Sequence, residues 1–228
     1  ILGIENEAGR FVVEEICFPG LGSPRRPTLH HQPVQHGTIA FISGANFSSK
    51  QAFKFDLLRD LISGSIPNSN LSCIQRLVFV GNVAERPSRL DYMSKKKYGV
   101  EHARYDFSNM NLLDQVLDDL VKSVPIIVMP GEGDPSNLAL PQSPIHPGLF
   151  PKTRHNSTFL SLMNPCAFEH NSVSFLGTSG QNVNDISRYS DMVDRMEIAE
   201  STLKWRNLAP TSPDTLCTYA HAFNHHPF

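Results

Sequence analysis

Chemistry in this chain would begin at Gly131-Glu132-Gly133-Asp134, where two carboxylates flank a glycine directly after the apolar run Ile126–Met129. Pro130 and Pro135 bracket the turn. A buried strand that ends in a tight glycine-rich loop is where α/β folds hold their reacting groups. Hard oxygen donors there suit a divalent cation, and with donors from neighbouring loops they suit metal-assisted hydrolysis. His146, just downstream, is a further candidate ligand, and Gly81-Asn82 closes a second apolar run. Other chemistries are poorly provided for. Gly177-Thr178-Ser179-Gly180 lacks the Gly-x-Ser-x-Gly spacing of a nucleophile elbow, so a turn followed by a helix start is expected. No Gly-x-x-x-x-Gly-Lys-Ser/Thr phosphate loop exists, and no cofactor is implied. His30, His31 and His36 fall in a Pro/Gly-rich stretch, while His221, His225 and His226 cluster near the last residue. Adventitious metal binding is the most that second cluster offers.

The elements that must position these groups alternate. Thr38–Ile42, Leu77–Val80 and Ile126–Met129 are apolar runs ending at Gly44, Gly81 and Pro130-Gly131, the pattern of buried strands. Between them, Gln51–Ser63 carries Phe55, Leu58, Leu61 and Ile62 at helical spacing, with Gly64 just after. Asn109–Val121 is the clearest helix: Leu112, Leu113, Val116, Leu117, Leu120 and Val121 form one face, opposite Asp114, Asp118 and Lys122, with Ser108 as the expected N-cap. Such alternation predicts a parallel sheet with crossover helices. The loops at 43–50, 81–87 and 130–137 should then gather along one carboxyl edge.

Outside this unit, Phe11–Phe18 reads as a β-rich start, and residues 19–36 as a linker broken by Pro19, Gly20, Gly22, Pro24, Pro27 and Pro33. Val173–Leu176 reads as a strand and Met192–Asn207 as a helix whose Met192, Met196, Ala199 and Leu203 stripe is expected in the core. No internal repeat or low-complexity tract is evident.

The 228 residues are 40% hydrophobic and 18% charged, a composition that supports a packed core and argues against a disordered chain. A net charge of -2 supplies no global basic field for nucleic acid, so a role at DNA is expected to be indirect. Cys17, Cys73, Cys166 and Cys217 are scattered without a Cys-x-x-Cys pair, which argues against a zinc ribbon and reads as a reduced intracellular protein. No secretory signal is visible despite sequons at Asn46, Asn70 and Asn156, and no apolar run is long enough for a bilayer. Lys95-Lys96-Lys97 reads as a short solvated charge run rather than an import signal.

Several stretches together carry a resemblance. They are Val128-Met129-Pro130-Gly131-Glu132-Gly133-Asp134-Pro135-Ser136-Asn137, then Leu140-Pro141-Gln142-Ser143-Pro144-Ile145-His146-Pro147, Leu149-Phe150-Pro151 and Asn164-Pro165. Phe175-Leu176-Gly177-Thr178-Ser179-Gly180-Gln181-Asn182-Val183, Asp185-Ile186 and Ala209–Leu216 complete the set. Over most of residues 38–219 the chain resembles the small, B-type accessory subunits of eukaryotic replicative DNA polymerases, those of polymerase delta in particular. That resemblance implies an OB fold followed by a calcineurin-like metallophosphoesterase sandwich. Residues 1–18 would be the end of the OB fold, 19–36 the linker, and 37–228 the phosphoesterase-like domain, incomplete at its C-terminal end.

The resemblance also implies which chemistry is missing. Active phosphoesterases of this fold take Asp and His from the first loop, and residues 43–49, Ser-Gly-Ala-Asn-Phe-Ser-Ser, hold neither. Their second loop gives Gly-Asp, whose carboxylate bridges two metals; here it is Gly81-Asn82, and a neutral amide cannot balance two dications. Their third loop reads Gly-Asn-His-Asp or Gly-Asn-His-Glu, where this chain has Gly131-Glu132-Gly133-Asp134. A terminal Gly-His-x-His element is not found. Asn82, Glu132, Gly133 and Asp134 are therefore expected to be degenerate ligand positions, with no catalytic, cofactor or metal residues. Asp134 would serve as a turn or capping residue. His146 would pack or hydrogen-bond locally, and Glu132 would pair with a nearby cation.

Taken with the family, these readings imply a nuclear, non-catalytic scaffold in the polymerase delta complex, acting in DNA replication and repair synthesis. Its partners would be the C-terminal cysteine-rich metal domain of the catalytic subunit and further small subunits that help connect the polymerase to its clamp. The loops at 141–151 and 182–189 are the candidate contact regions. The competing reading is an active metal-dependent phosphoesterase or nuclease, as archaeal relatives of these subunits are. Direct nucleic-acid binding through the OB fold is a third.

Overall fold

A computed structural model describes residues 2–5, 9–22, 37–66, 74–86 and 106–219. These form two compact units, residues 28–181 and residues 1–27 with 182–228.

In the smaller unit, β1 (Leu2–Glu5) pairs antiparallel with β2 (Phe11–Glu15). The strand expected over Phe11–Phe18 thus stops at Glu15. All of β2 is exposed.

The larger unit is an α/β structure. Its strands β3 (Thr38–Ile42), β4 (Ile74–Val80), β5 (Ile126–Met129) and β6 (Phe159–Ser161) lie in that order, every pair parallel. Helix α1 (Ala52–Ile62) follows β3, and α2 (Ser108–Val121) follows β4. β3, β5 and both helices lie where the apolar periodicity predicts them, whereas β6 is too short and too mixed to stand out in the sequence. Alternate residues of β4 and β5 explain the layers. Leu77, Phe79, Ile126 and Val128 join Phe47, Phe55, Leu113 and Leu117 in one buried core. Val78, Ile127 and Met129 are buried on the opposite face. There the hairpin of β7 (Cys166–His170) and β8 (Val173–Gly177) approaches, with Arg76 donating to the Glu169 carbonyl at 3.3 Å and Gln75 within 3.0 Å of the His170 ring. A central strand covered on both faces must be apolar throughout, as β5 is.

Helix α2 departs from expectation at three points. Ser108 is its first residue rather than its N-cap, because the Asp106 carboxylate already accepts the Ser108 amide at 2.9 Å. Asp114, expected on the polar face, is buried. Its carboxylate accepts the amides of Lys152 at 2.9 Å and Thr153 at 3.0 Å. Those two residues open a single turn of 3-10 helix, Thr153–His155, whose free N–H groups need acceptors. Leu112, expected on the apolar face, is exposed.

The smaller unit also holds most of α3 (Gln181–Tyr189) and all of α4 (Arg195–Trp205). Asp194 caps α4 by accepting the Met196 amide at 2.8 Å, so the helix begins after Met192. The stripe expected in the core is not there: Met196 is 76% exposed and Leu203 61%, while Ile198 and Thr202 are buried instead. Arg206 follows α4 and donates to the Gly20 carbonyl at 2.8 Å. Cys17 and Cys217 are exposed free thiols and Cys166 a buried one. Among the described residues, no helix is long and apolar enough to cross a membrane. Residues 23–36, most of the expected linker with its histidines, lie outside the described residues, as do Cys73, Lys95–Lys97 and the histidines from His221 onward.

Candidate functional site

Parallel register brings the carboxyl ends of β3, β4 and β5 side by side, and their loops meet as predicted. The Gly44, Asn46 and Phe47 amides donate to the carbonyls of Gly81, Asn82 and Val83 at 3.2, 2.8 and 2.9 Å. The Gly81 amide in turn donates to the Met129 carbonyl at 3.1 Å. The chain must turn sharply after β4, and Gly81 and Asn82 do so with φ of 77° and 50°. Glycine, and next to it asparagine, tolerates that left-handed region best.

Here the second and third loops touch backbone to backbone. A Cβ on Gly131 would lie 2.5 Å from the Asn82 nitrogen and 2.9 Å from the Gly81 Cα. On Gly81 it would lie 2.7 Å from the Ser179 Cβ. Only hydrogen at both positions permits this approach.

Two of the side chains expected as ligand remnants, Asp134 and Asn82, are taken up by that contact. Asp134 is 5% exposed, and its carboxylate reaches back to β4's loop. One oxygen accepts the Val83 and Ala84 amides at 2.9 and 3.2 Å; the other accepts Gly131 at 2.8 Å and shares Val83 at 3.1 Å. Burial pushes the Asp134 carboxyl above its ordinary value, against the downward pull of these amides. Asn82 Oδ1 accepts the Gly133 amide at 2.8 Å. Glu132, between them, is exposed. His146 is exposed too, and its Nδ1 accepts the Gly148 amide at 3.0 Å, capping the short 3-10 turn Pro147–Leu149. Among the described residues, no three His, Cys, Asp or Glu side chains group as a metal cage.

Around this contact lies a set of neutral amides that sequence reasoning did not assign. Asn164, buried beside a cis peptide to Pro165, exchanges backbone hydrogen bonds with Gln142 at 2.7 and 3.1 Å. Its Nδ2 donates to Gln142 Oε1 at 2.7 Å and to Ser179 Oγ at 2.6 Å, while its Oδ1 accepts the Ser179 amide at 3.2 Å. Gln142 Nε2 passes the network on, donating to the carbonyls of Asn137 at 2.8 Å and Gly131 at 3.2 Å. Asn137 holds its own loop, with Oδ1 accepting the Ser143 amide at 2.6 Å. Ser179 is thus a network member; Gly180 follows at φ 84° and α3 begins at Gln181, the turn and helix start that were expected. A carboxamide both donates and accepts, so such groups satisfy one another in a buried place without counter-ions. Their signal in the sequence was membership of the family-like stretches around Gln142, Asn164 and Ser179.

A family model for the B subunits of DNA polymerases alpha and epsilon matches residues 39–228. The chain belongs to that family. Every residue of the network lies inside the matched span. Among curated relatives, the DNA polymerase delta small subunit of Oryza sativa subsp. japonica is 38% identical over 95% of this chain and 51% of the relative. That of Arabidopsis thaliana is 34% identical over 95% and 50%. The Saccharomyces cerevisiae protein of the same name is 33% identical over 96% and 50%. The chain spans about half the length of the curated relatives it matches.

Proposed function

We propose that this chain acts within a non-catalytic accessory subunit of the replicative polymerase delta, in the nucleus, as a scaffold. It would hold the C-terminal domain of the catalytic subunit and further small subunits, meeting DNA only through them. Its parallel sheet would be the larger part of a calcineurin-like phosphoesterase sandwich over residues 37–228, joined through 19–36 to the end of an OB fold at 1–18.

One observation carries the non-catalytic part of this reading. The Asp134 carboxylate is spent on backbone amides of Gly131, Val83 and Ala84, and Asn82 is spent on Gly133. A two-metal centre needs charged oxygens and imidazoles free to converge on the ions. This donor set does not fit one: the Asp134 carboxylate is engaged, Asn82 is neutral, Glu132 is exposed and belongs to no group of three such side chains among the described residues, and Gly81 and Gly131 bring the loop backbones together. What the contact offers instead is rigidity, since it pins three loops that would otherwise move. A rigid sheet edge is a good base for a protein interface.

Two measurements test the proposal. Co-expression with a polymerase delta catalytic subunit should yield a stable complex, and failure to co-purify would count against the scaffold role. Manganese-dependent hydrolysis of a phosphodiester should be absent both in the unaltered protein and in an Asn82→Asp variant. Robust turnover by the unaltered protein would replace the proposal with the metal-dependent phosphoesterase or nuclease.

A further inference from the structure

Helix α1 buries one side and presents the other. Phe55 lies in the core and Leu58 and Ile62 pack against it. The opposite stripe, at spacings of three and four, is Phe53, Lys54 and Leu57, extended by Lys50 from the turn that leads into the helix. Phe53 is 77% exposed and Leu57 43%, one turn apart. A single exposed apolar residue means nothing, but an aromatic and a leucine stacked along one helix face form a patch.

The charges on the same helix divide in an informative way. Arg59 is neutralised, with Asp56 at 3.1 Å and Asp60 at 3.4 Å. Lys50 and Lys54, beside Phe53, have no acidic partner among the described residues. The patch is therefore apolar along its length and positive along its border. An occupant must supply apolar side chains at helical spacing and carboxylates to meet the lysines.

Residues 87–105 of this chain have the wrong sign for that part. They carry Arg89, Lys95, Lys96, Lys97 and Arg104 against Asp91 and Glu101. Charge complementarity disfavours that stretch as the occupant and favours an acidic one.

We infer that the outer stripe of α1 and its leading turn, Lys50-Phe53-Lys54-Leu57, docks an acidic amphipathic helix of a partner protein. Phe53 and Leu57 seat between the partner's apolar side chains, and Lys50 and Lys54 pair with the carboxylates beside them, as in other helix-in-groove contacts. Such charge pairs steer association and choose the partner, while the aromatic anchor holds it. This inference goes beyond the scaffold role proposed above, for it uses no residue of the loop contact and names the chemistry of what binds.

The test uses the full chain and three synthetic helices. One has Glu around Leu at i, i+3, i+4 and i+7; one has Lys in place of Glu; one has the acidic composition scrambled. Fluorescence anisotropy should show binding of the acidic amphipath alone, weakened by added salt. Phe53→Ser should weaken it by at least about tenfold, as truncation of an anchor does. The double reversal Lys50→Glu with Lys54→Glu should exchange the preference, so that the basic helix binds and the acidic one does not. Circular dichroism confirms that each variant is folded. Equal binding of the acidic and scrambled helices, or a charge reversal without effect, overturns the proposal. So does poor amine labelling of Lys50 and Lys54 in the isolated chain, which would mean that the chain covers its own stripe. Self-association removed by Phe53→Ser would make a second copy the occupant and overturn it equally.

Discussion

Asp134 takes the Val83 amide hydrogen on both of its carboxylate oxygens, at 2.9 and 3.1 Å, across 51 residues of sequence. That one contact joins the ends of two central strands. It also fixes the fate of the acidic residue that looked most like a ligand.

Replacing Asp134 by Ala should therefore unfold the chain more easily rather than alter any activity. The amides of Val83, Ala84 and Gly131 would be left unpaired in a buried place, and each such group is worth roughly 1–3 kcal/mol. A loss of about 3 kcal/mol or more is expected, read from the urea midpoint. Asp134→Asn keeps one accepting oxygen and should fall between the two.

Gly131 and Gly133 sit two residues apart and should behave differently. On Gly131 a methyl would meet the Asn82 backbone at 2.5 Å, and backbone cannot swing aside. On Gly133 it meets the tip of the Asn82 side chain at 3.2 Å. Gly131→Ala should destabilise by about 1–3 kcal/mol, in the range of overpacked cores, and Gly133→Ala by less. Thermal unfolding of the pair decides it; equal losses would show that the two loops are not in backbone contact.

Gln142 and Asn164 share hydrogen bonds through both side chain and backbone. Removing either side chain should already disable the other. The double replacement by Ala should then lose less than the sum of the singles, with a coupling of about 1 kcal/mol. Strict additivity in denaturant titrations would mean that the two amides act separately.

His170 gives a pH dependence. Its pKa is lowered by partial burial and, second, by the positive charge of Arg76 nearby. The sign follows from linkage. A group with a depressed folded pKa contributes stability above its unfolded value, and that contribution is lost as pH falls through the folded one. Stability should thus decline below about pH 6.5. His170→Gln, which keeps a polar group toward Gln75 and cannot charge, should flatten that part of the profile of thermal midpoints, measured from about pH 5 to about pH 7.5.

Some of the sequence expectations failed for a common reason. Asp114 follows the polar periodicity of α2, yet the turn at Thr153–His155 arrives from elsewhere in the chain and needs its carboxylate. Met196 and Leu203 follow an apolar stripe on α4, yet they stand exposed. Periodicity says which residues share a face; it does not say what that face meets.

Sequence by itself determined the strands β3 and β5, the helices α1 and α2, and the gathering of their loops at one edge. Apolar runs bounded by glycine and proline are local signals, and a parallel sheet follows from their alternation with helices. Asn82 and Gly133 were also legible, as letters at positions where the resemblance leads one to expect ligands. Only the tertiary structure decided what the surviving polar groups do. Asp134, Gln142 and Asn164 find their partners across loops that sheet register brings together, and hydrogen bonds between distant residues leave no periodic trace in the chain.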